Sequence, residues 1–333
     1  MRFKKTIFII LTLGFLLLVN YYLPSRMNPY FLQILILIGI NIMLAVSLNL
    51  INGFTGQFSI GHAGFMAIGG YSSAFFTYYF GRNLIQSLSS VIFFPWLAKS
   101  IIFVLALILG GMLAAVAGLV VGIPSLKLKG DYLAIATLGF GEIIRVMILN
   151  IDAVGGARGF ADIPGYTNLF WVLFFMILTI IVVRNLIHST HGRAFLSVRE
   201  DEVAAEAMGI NTTYYKVYAF VIGAFFAGIA GGLFGHYLMY LHTNSFTFMR
   251  SIEVIIMVVL GGMGSITGSI LAAIILTILP EFLRVVKDYR MVIYSLILII
   301  LMLTRPQGIF GVQELSLQRI KSLFGKKAQG MDG

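Results

Sequence analysis

Apolar runs of helical length, interrupted by short clusters of glycine, hydroxyl and charged residues, dominate the chain from end to end. A bilayer core of roughly 30 Å takes about 20 apolar helical residues to cross, and runs of that order fall at 6–22, 30–51, 62–80, 97–122, 131–150, 168–187, 214–240, 252–260, 266–286 and 289–304. The pattern predicts an all-α polytopic membrane protein with about ten transmembrane helices, which places both chain ends on the same side. A transmembrane barrel would need strands of about ten alternating residues, whereas these runs are continuous and rich in Leu, Ile, Ala and Gly. The run 252–260 is too short to cross alone unless the glycine-rich break after it lies inside the membrane. Two breaks are alike: 53–61 (GFTGQFSIG) and 261–268 (GGMGSITG) each interrupt an apolar stretch with glycines and hydroxyls before helix resumes. Interrupted helices in corresponding positions of two halves point to a transport path.

Composition fixes the solvent. With 333 residues, 59% of them apolar and 11% charged, and a mean hydropathy of +0.97, the chain lacks the polar surface that a water-soluble protein needs. Residues 1–304 form the membrane domain, with a polar loop at 188–213, and 305–333 form a basic cytosolic tail. The net charge of +10 sits at helix ends, where positive-inside bias puts it, and does not call for nucleic acid. With Met1 in the cytosol, the basic N-terminus, Lys127 with Lys129, the stretch from Arg184 to Lys216, and the tail fall inside. The run 6–22 follows Arg2, Lys4 and Lys5 as a signal peptide would, but it ends without a small-residue cleavage site and reads as an uncleaved helix. In the tail, Leu317, Ile320 and Phe324 share a helical face near Lys321, Lys326 and Lys327, which suits the inner membrane surface. Cysteine is absent, so disulfides and thiolate chemistry are excluded.

The polar island from His188 to Thr213 is the longest charged interval between two crossings. Ser197 and Glu200 read as an S-x-x-E capping box, Asp201 and Glu202 occupy a first turn, and Gly209 stands as the terminator. The spacing predicts a helix of about eleven residues, roughly 16 Å long, too short and too charged to cross. Val203, Ala207 and Ile210 share one face, and Ala204 and Ala205 keep another thin, so a partner can approach closely; the plain alternative is a solvated connector. Within the breaks, Gly56, Gln57, Ser59, His62, Gly262, Gly264, Ser265 and Thr267 either pack helices or line a path. Glu142 and Arg145, three apart on one crossing, form a structural or a pathway pair. His62 has no second ligand at metal-binding spacing. No nucleophile-base constellation and no P-loop occur, so the chain is not an enzyme and holds no nucleotide of its own.

Four segments in order carry a resemblance. They are 56–65 (GQFSIGHAGF), 129–140 (KGDYLAIATLGF), 199–211 (REDEVAAEAMGIN) and 261–268, within a match from about Asn41 to Gly308. Together they resemble the M-type permease subunit of the branched-chain amino acid importers driven by ATP-binding-cassette ATPases. The resemblance implies a coupling helix carried by Arg199, Glu200, Asp201, Glu202, Ala204, Ala205, Glu206 and Gly209, docked on a separate ATPase. It also implies a translocation path drawing on Gly56, Gln57, Ser59, His62, Thr137, Glu142, Gly262, Gly264 and Ser265. The implied assembly has a second homologous permease, two ATPases that hold ATP and Mg, and an external solute-binding protein, in the lipid of a bacterial inner membrane. The Ile-x-Leu-Pro that follows the glycine in the broader signature is absent after Gly209. An importer of urea or short amides carries nearly the same motifs, and an ion-coupled secondary transporter would use broken helices without an ATPase.

Overall fold

The computed structural model describes residues 14, 16, 18–20, 22, 23, 26–90, 95–126, 132–285, 289–304 and 308. The run 6–22 falls largely outside them. So do Lys127, Lys129 and the amphipathic tail. The helices are α1 (Pro29–Asn49), prolonged by a π turn over Leu50–Phe54; α2 (His62–Phe76), prolonged by a π turn over Thr77–Gly81; α3 (Arg82–Ser89); α4 (Pro95–Ser125); α5 (Tyr132–Leu149); α6 (Leu169–Ile187); α7 (Thr190–Glu200); α8 (Glu202–Ala207); α9 (Thr212–Leu238); α10 (Phe248–Gly261); α11 (Ile266–Phe282) and α12 (Arg290–Thr304). No β-strand occurs among the described residues; a lone bridge pairs Phe160 with Leu241.

Local chemistry sets where these helices begin. Asn28 Oδ1 accepts from Tyr30 N at 3.0 Å, with Pro29 at the first helical position, where its missing N–H costs nothing. Asn168 caps α6 by accepting from Trp171 N at 3.2 Å, and Asn211 caps α9 by accepting from Tyr214 N at 3.0 Å. The core then assembles around α9, which packs on α4 and α2 on one side and on α1 on the other; α1 in turn carries α6, α10 and α11. Glycine permits the closest of these approaches. A Cβ at Gly231 of α9 would stand 1.9 Å from Met66 O of α2, so only a bare backbone fits there.

Six described helical segments are long and apolar enough to cross a bilayer: Pro29–Phe54, Pro95–Ser125, Tyr132–Leu149, Leu169–Ile187, Thr212–Leu238 and Thr243–Gly261. The protein is a multi-pass membrane protein. The expected figure of about ten adds 6–22, α2, α11 and α12; α11 and α12 are shorter, and α2 is diluted by glycines and hydroxyls. The expectation of a short run at 252–260 is corrected. The segment begins earlier, in a turn over Thr243–Phe246, and spans 19 residues. Arg250 weighs against so early a start when counted alone, yet it pairs with Glu253 across i,i+3 at 2.8 Å, which partly neutralises both charges.

Candidate functional site

The two glycine-rich breaks meet in space, and one asparagine joins them while a second closes the first break. Asn49, fully buried in the last turn of α1, donates from Nδ2 to Ser265 O at 2.9 Å and accepts at Oδ1 from Gly264 N at 2.9 Å. Three residues on, Asn52 donates to Ser59 O at 3.3 Å and accepts from Ser59 N at 3.2 Å. Asn49 thus satisfies Gly264 N, and Asn52 satisfies both backbone groups of Ser59, in broken backbone that would otherwise be buried unpaired; Ser265 O also accepts from Ser269 N at 3.1 Å. Gly264 has φ of +86°, a conformation that favours glycine. A Cβ at Gly53 would lie 2.3 Å from Gly264 N, so the two breaks touch backbone to backbone.

Further ties surround this junction. Ile60 N donates to Thr137 Oγ1 on α5 at 3.0 Å, and Ala63 N donates to Ser251 Oγ on α10 at 3.0 Å. Ser265 caps α11 by accepting from Gly268 N at 3.1 Å, and Gly262, with φ of +105°, ends α10. His62 opens α2 and is buried, its Nε2 sharing a 2.9 Å hydrogen bond with Ser47 Oγ. The Gln57 side chain donates to Thr55 O at 3.2 Å, its backbone N donates to Ile51 O at 3.1 Å, and the residue stays partly exposed. Glu142 does not join the junction. It pairs with Arg145 at 2.7 Å and borders a narrow cleft with Gly64 and Ser251.

The polar island enters the same place through Arg199. Its Nη1 donates to Gly53 O at 3.3 Å, its Nη2 pairs with Glu200 at 2.5 Å, and its Cγ would lie 3.0 Å from a Cβ at Gly56. One side chain of the island therefore touches the first break, and a Cβ at Gly264 would fall 2.9 Å from Arg199 Nη1, so it abuts the second as well.

The helix expected over this island is split. Ser197 lies inside α7, its hydroxyl donating to Arg193 O at 3.0 Å, and makes no capping box with Glu200. Asp201 takes the cap instead: in an extended conformation it accepts from Val203 N at 2.9 Å and Ala204 N at 3.0 Å. A carboxylate that serves two backbone N–H groups outcompetes a hydroxyl that can bond back within its own helix. The cap opens the six-residue α8, which is closed by Gly209 with φ of +81°.

Two faces of α8 differ. Inward, Glu202 pairs with the nearly buried Lys216 at 2.6 Å, Glu206 accepts from Thr212 Oγ1 at 2.7 Å, and Ala205 is buried. These contacts fasten α8 to the start of α9. Outward, Ala204 and Ala207 are exposed, along with Val203 at 68% and Met208 at 82%. Glu202 and Glu206 thus tie α8 to the start of α9, while the presented surface combines these small and apolar side chains with the exposed acidic groups of Glu200, Asp201 and Glu206. Sequence reasoning missed Asn49, Asn52 and Lys216. The signal for the asparagines was two amides three apart at the end of an apolar helix, costly to bury without partners. Among the described residues no cluster of three His, Asp or Glu side chains could hold a metal ion.

Comparison with known proteins places this arrangement. The family described as branched-chain amino acid transport system / permease component matches residues 30–303. The chain is 34% identical to the high-affinity branched-chain amino acid transport system permease protein LivM of Salmonella typhimurium over 325 residues, 87% of this chain and 72% of that protein. It is 27% identical to the probable branched-chain amino acid transport permease protein LivM of Methanocaldococcus jannaschii, covering 77% of this chain and 81% of that one. A shorter stretch of 165 residues is 32% identical to the permease protein LivH of Salmonella typhimurium, covering 48% of this chain and 53% of that protein. No solved structure matches the chain. With the family match running through nearly every described helix, the chain belongs to the permease component family of branched-chain amino acid transport systems.

Proposed function

We propose that the chain is one of two homologous permeases that form the membrane path of an ATP-driven importer of leucine, isoleucine and valine, coupled in the cytosol to two ATPases and supplied from outside by a solute-binding protein. The observation that carries this reading is the junction: a short helix that holds Val203 and Met208 outward, pinned to α9, whose neighbouring Arg199 meets both broken helices. A partner that moves α8 pulls on Lys216 through Glu202, and Arg199, at the end of the preceding α7, bonds the Gly53 carbonyl. Motion outside the membrane is thereby delivered to the two places where helix is already interrupted and backbone is easiest to rearrange. ATP and Mg belong to the partner chains, since this sequence has no P-loop. Similarity to both LivM and LivH supports a paired permease, and the names of those relatives support branched-chain amino acids as cargo. In this arrangement both termini lie in the cytosol of a bacterial inner membrane.

The test is uptake of radiolabelled leucine by cells that lack other leucine transporters and express this chain with its partners. Uptake should fail on ATP depletion and survive an ionophore that collapses ion gradients. Uptake that survives ATP depletion and is abolished by the ionophore overturns the reading in favour of an ion-coupled transporter.

A further inference from the structure

Arg250 lies about 20 Å along α10 from the junction, counted at 1.5 Å per residue. It sits at the head of a polar network: Nη1 donates to Glu253 Oε2 at 2.8 Å, Nη2 donates to Asn41 Oδ1 on α1 at 2.6 Å, and Asn41 Nδ2 donates to Thr277 Oγ1 on α11 at 2.8 Å. Asn41 is buried and fully engaged, so it holds the guanidinium in place. The network borders a cavity of about 370 Å³ between α1, α9, α10, α11 and the turn before α10. That is within the range of sites for small organic ligands, roughly 300–1,000 Å³.

The chemistry of this cavity is unfinished. A guanidinium carries five N–H donors, and two of its nitrogens are engaged here. Glu253 uses one oxygen, and its side chain is 45% exposed. The side chains of Asn244, Ser245 and Thr247 line the same space without a hydrogen-bond partner among the described residues. Charged groups on a membrane-spanning segment face a water-filled space or the bundle interior rather than lipid, so this open pair marks a hydrated site. The remaining wall is apolar, made by Leu37, Phe234 and Met249. A held cation beside an anion, with apolar side chains in the same cavity, complements a zwitterion with an apolar side chain. A second cavity of about 630 Å³ also holds an arginine and a carboxylate, Arg82 and Asp162, but phenols and polar groups dominate its walls and Pro164 alone adds an aliphatic side chain.

We infer that this cavity is a substrate site within the permease, in which Arg250 receives the α-carboxylate, Glu253 receives the α-ammonium, and Leu37, Phe234 and Met249 surround the side chain of an aliphatic α-amino acid. The inference rests on the proposed transport function and adds to it a place on this chain where the cargo is held. It also gives the permease a selectivity of its own, independent of any external receptor.

The test uses the complete complex with its ATPases in lipid nanodiscs, without the binding protein, and equilibrium binding of radiolabelled leucine. The wild type should bind leucine saturably, and 4-methylpentanoate, which is leucine without its ammonium, should compete poorly. Glu253→Gln should weaken leucine binding by about tenfold or more, as loss of a charge-assisted contact requires, and should narrow the discrimination against 4-methylpentanoate. Met249→Phe, which fills the apolar wall and keeps every charge, should weaken leucine binding while both variants still co-purify with the ATPases. Leucine import without saturable binding overturns the inference alone, as does binding by both variants that equals the wild type. A co-purifying phospholipid that is lost from Glu253→Gln and that leucine does not displace also overturns it. A complex that imports no leucine when given its receptor overturns the transport reading, and the inference falls with it.

Discussion

The junction of the breaks and the Arg250 cavity are both polar islands in apolar mass, yet they treat their polar groups in opposite ways. At the junction, Asn49 and Asn52 each commit a donor and an acceptor to backbone, and Arg199 reaches a backbone carbonyl. In the cavity, the partners are side chains, and several lining groups have no partner at all among the described residues. Commitment to backbone makes a part that transmits displacement, because moving one strand of the junction breaks specific bonds in the other. Uncommitted side chains around a void make a part that receives a ligand.

This contrast breaks most severely at Asn49. Asn49→Leu keeps the branching of the side chain but leaves Gly264 N buried without a partner and removes one of the bonds to Ser265 O, which should cost about 3 kcal/mol. Thermal unfolding of the purified complex in detergent should drop sharply, whereas Thr247→Val at the cavity should leave it nearly unchanged. Equal effects at the two sites would erase the distinction. Gly53→Ala comes next. Its new methyl would meet Gly264 N at 2.3 Å, so the breaks must separate, at about 2 kcal/mol. The same thermal assay measures it, and a loss well under that figure would mean the contact yields freely.

The outline of this molecule is legible in the sequence because hydropathy is a local property. Runs at 30–51, 97–122, 131–150, 168–187 and 214–240 reappear as α1, α4, α5, α6 and α9, with ends displaced by a few residues. The errors cluster where a charge has to be weighed against a tertiary partner. Arg250 falls outside the expected run at 252–260, and nothing local reveals that Asn41, more than 200 positions away, takes up its guanidinium. Ser197 reads as the cap that Asp201 holds, because two good capping residues stand four apart and only the fold decides between them. The partners that Glu202 and Glu206 find within the chain, Lys216 and Thr212, are set by the same folding and have no local signal. The meeting of the two breaks depends on Asn49, whose partners lie some 215 residues distant. No periodicity could have shown it.

Arg199 sharpens the contrast further, since it links the island to the breaks by a single long hydrogen bond from a part-exposed side chain. Arg199→Ala should cost only about 1 kcal/mol of stability, yet leucine uptake should fall far more than folded protein does. Comparing uptake per unit of membrane-inserted protein against co-purified ATPase separates the two. If uptake tracks folded protein alone, Arg199 is a packing residue and no more.

The smallest effect on stability belongs to the outer face of α8, and it is the most informative one. Val203 and Met208 are exposed at 68% and 82%, so Val203→Ser with Met208→Ser removes almost no buried contact and should move the unfolding midpoint by less than about 0.5 kcal/mol. An apolar side chain that is held out on a rigidly fastened helix contributes its burial energy only when something covers it. If an ATPase cleft covers this face, the doubly substituted chain should insert normally, melt normally and lose most of its co-purifying ATPase. Glu206→Gln, by contrast, loosens an internal tie while leaving the outer face intact, and should keep the ATPase bound. Retention of the ATPase by the double variant would show that docking lies elsewhere on the island, and would leave α8 as a fastened connector whose exposed residues do nothing.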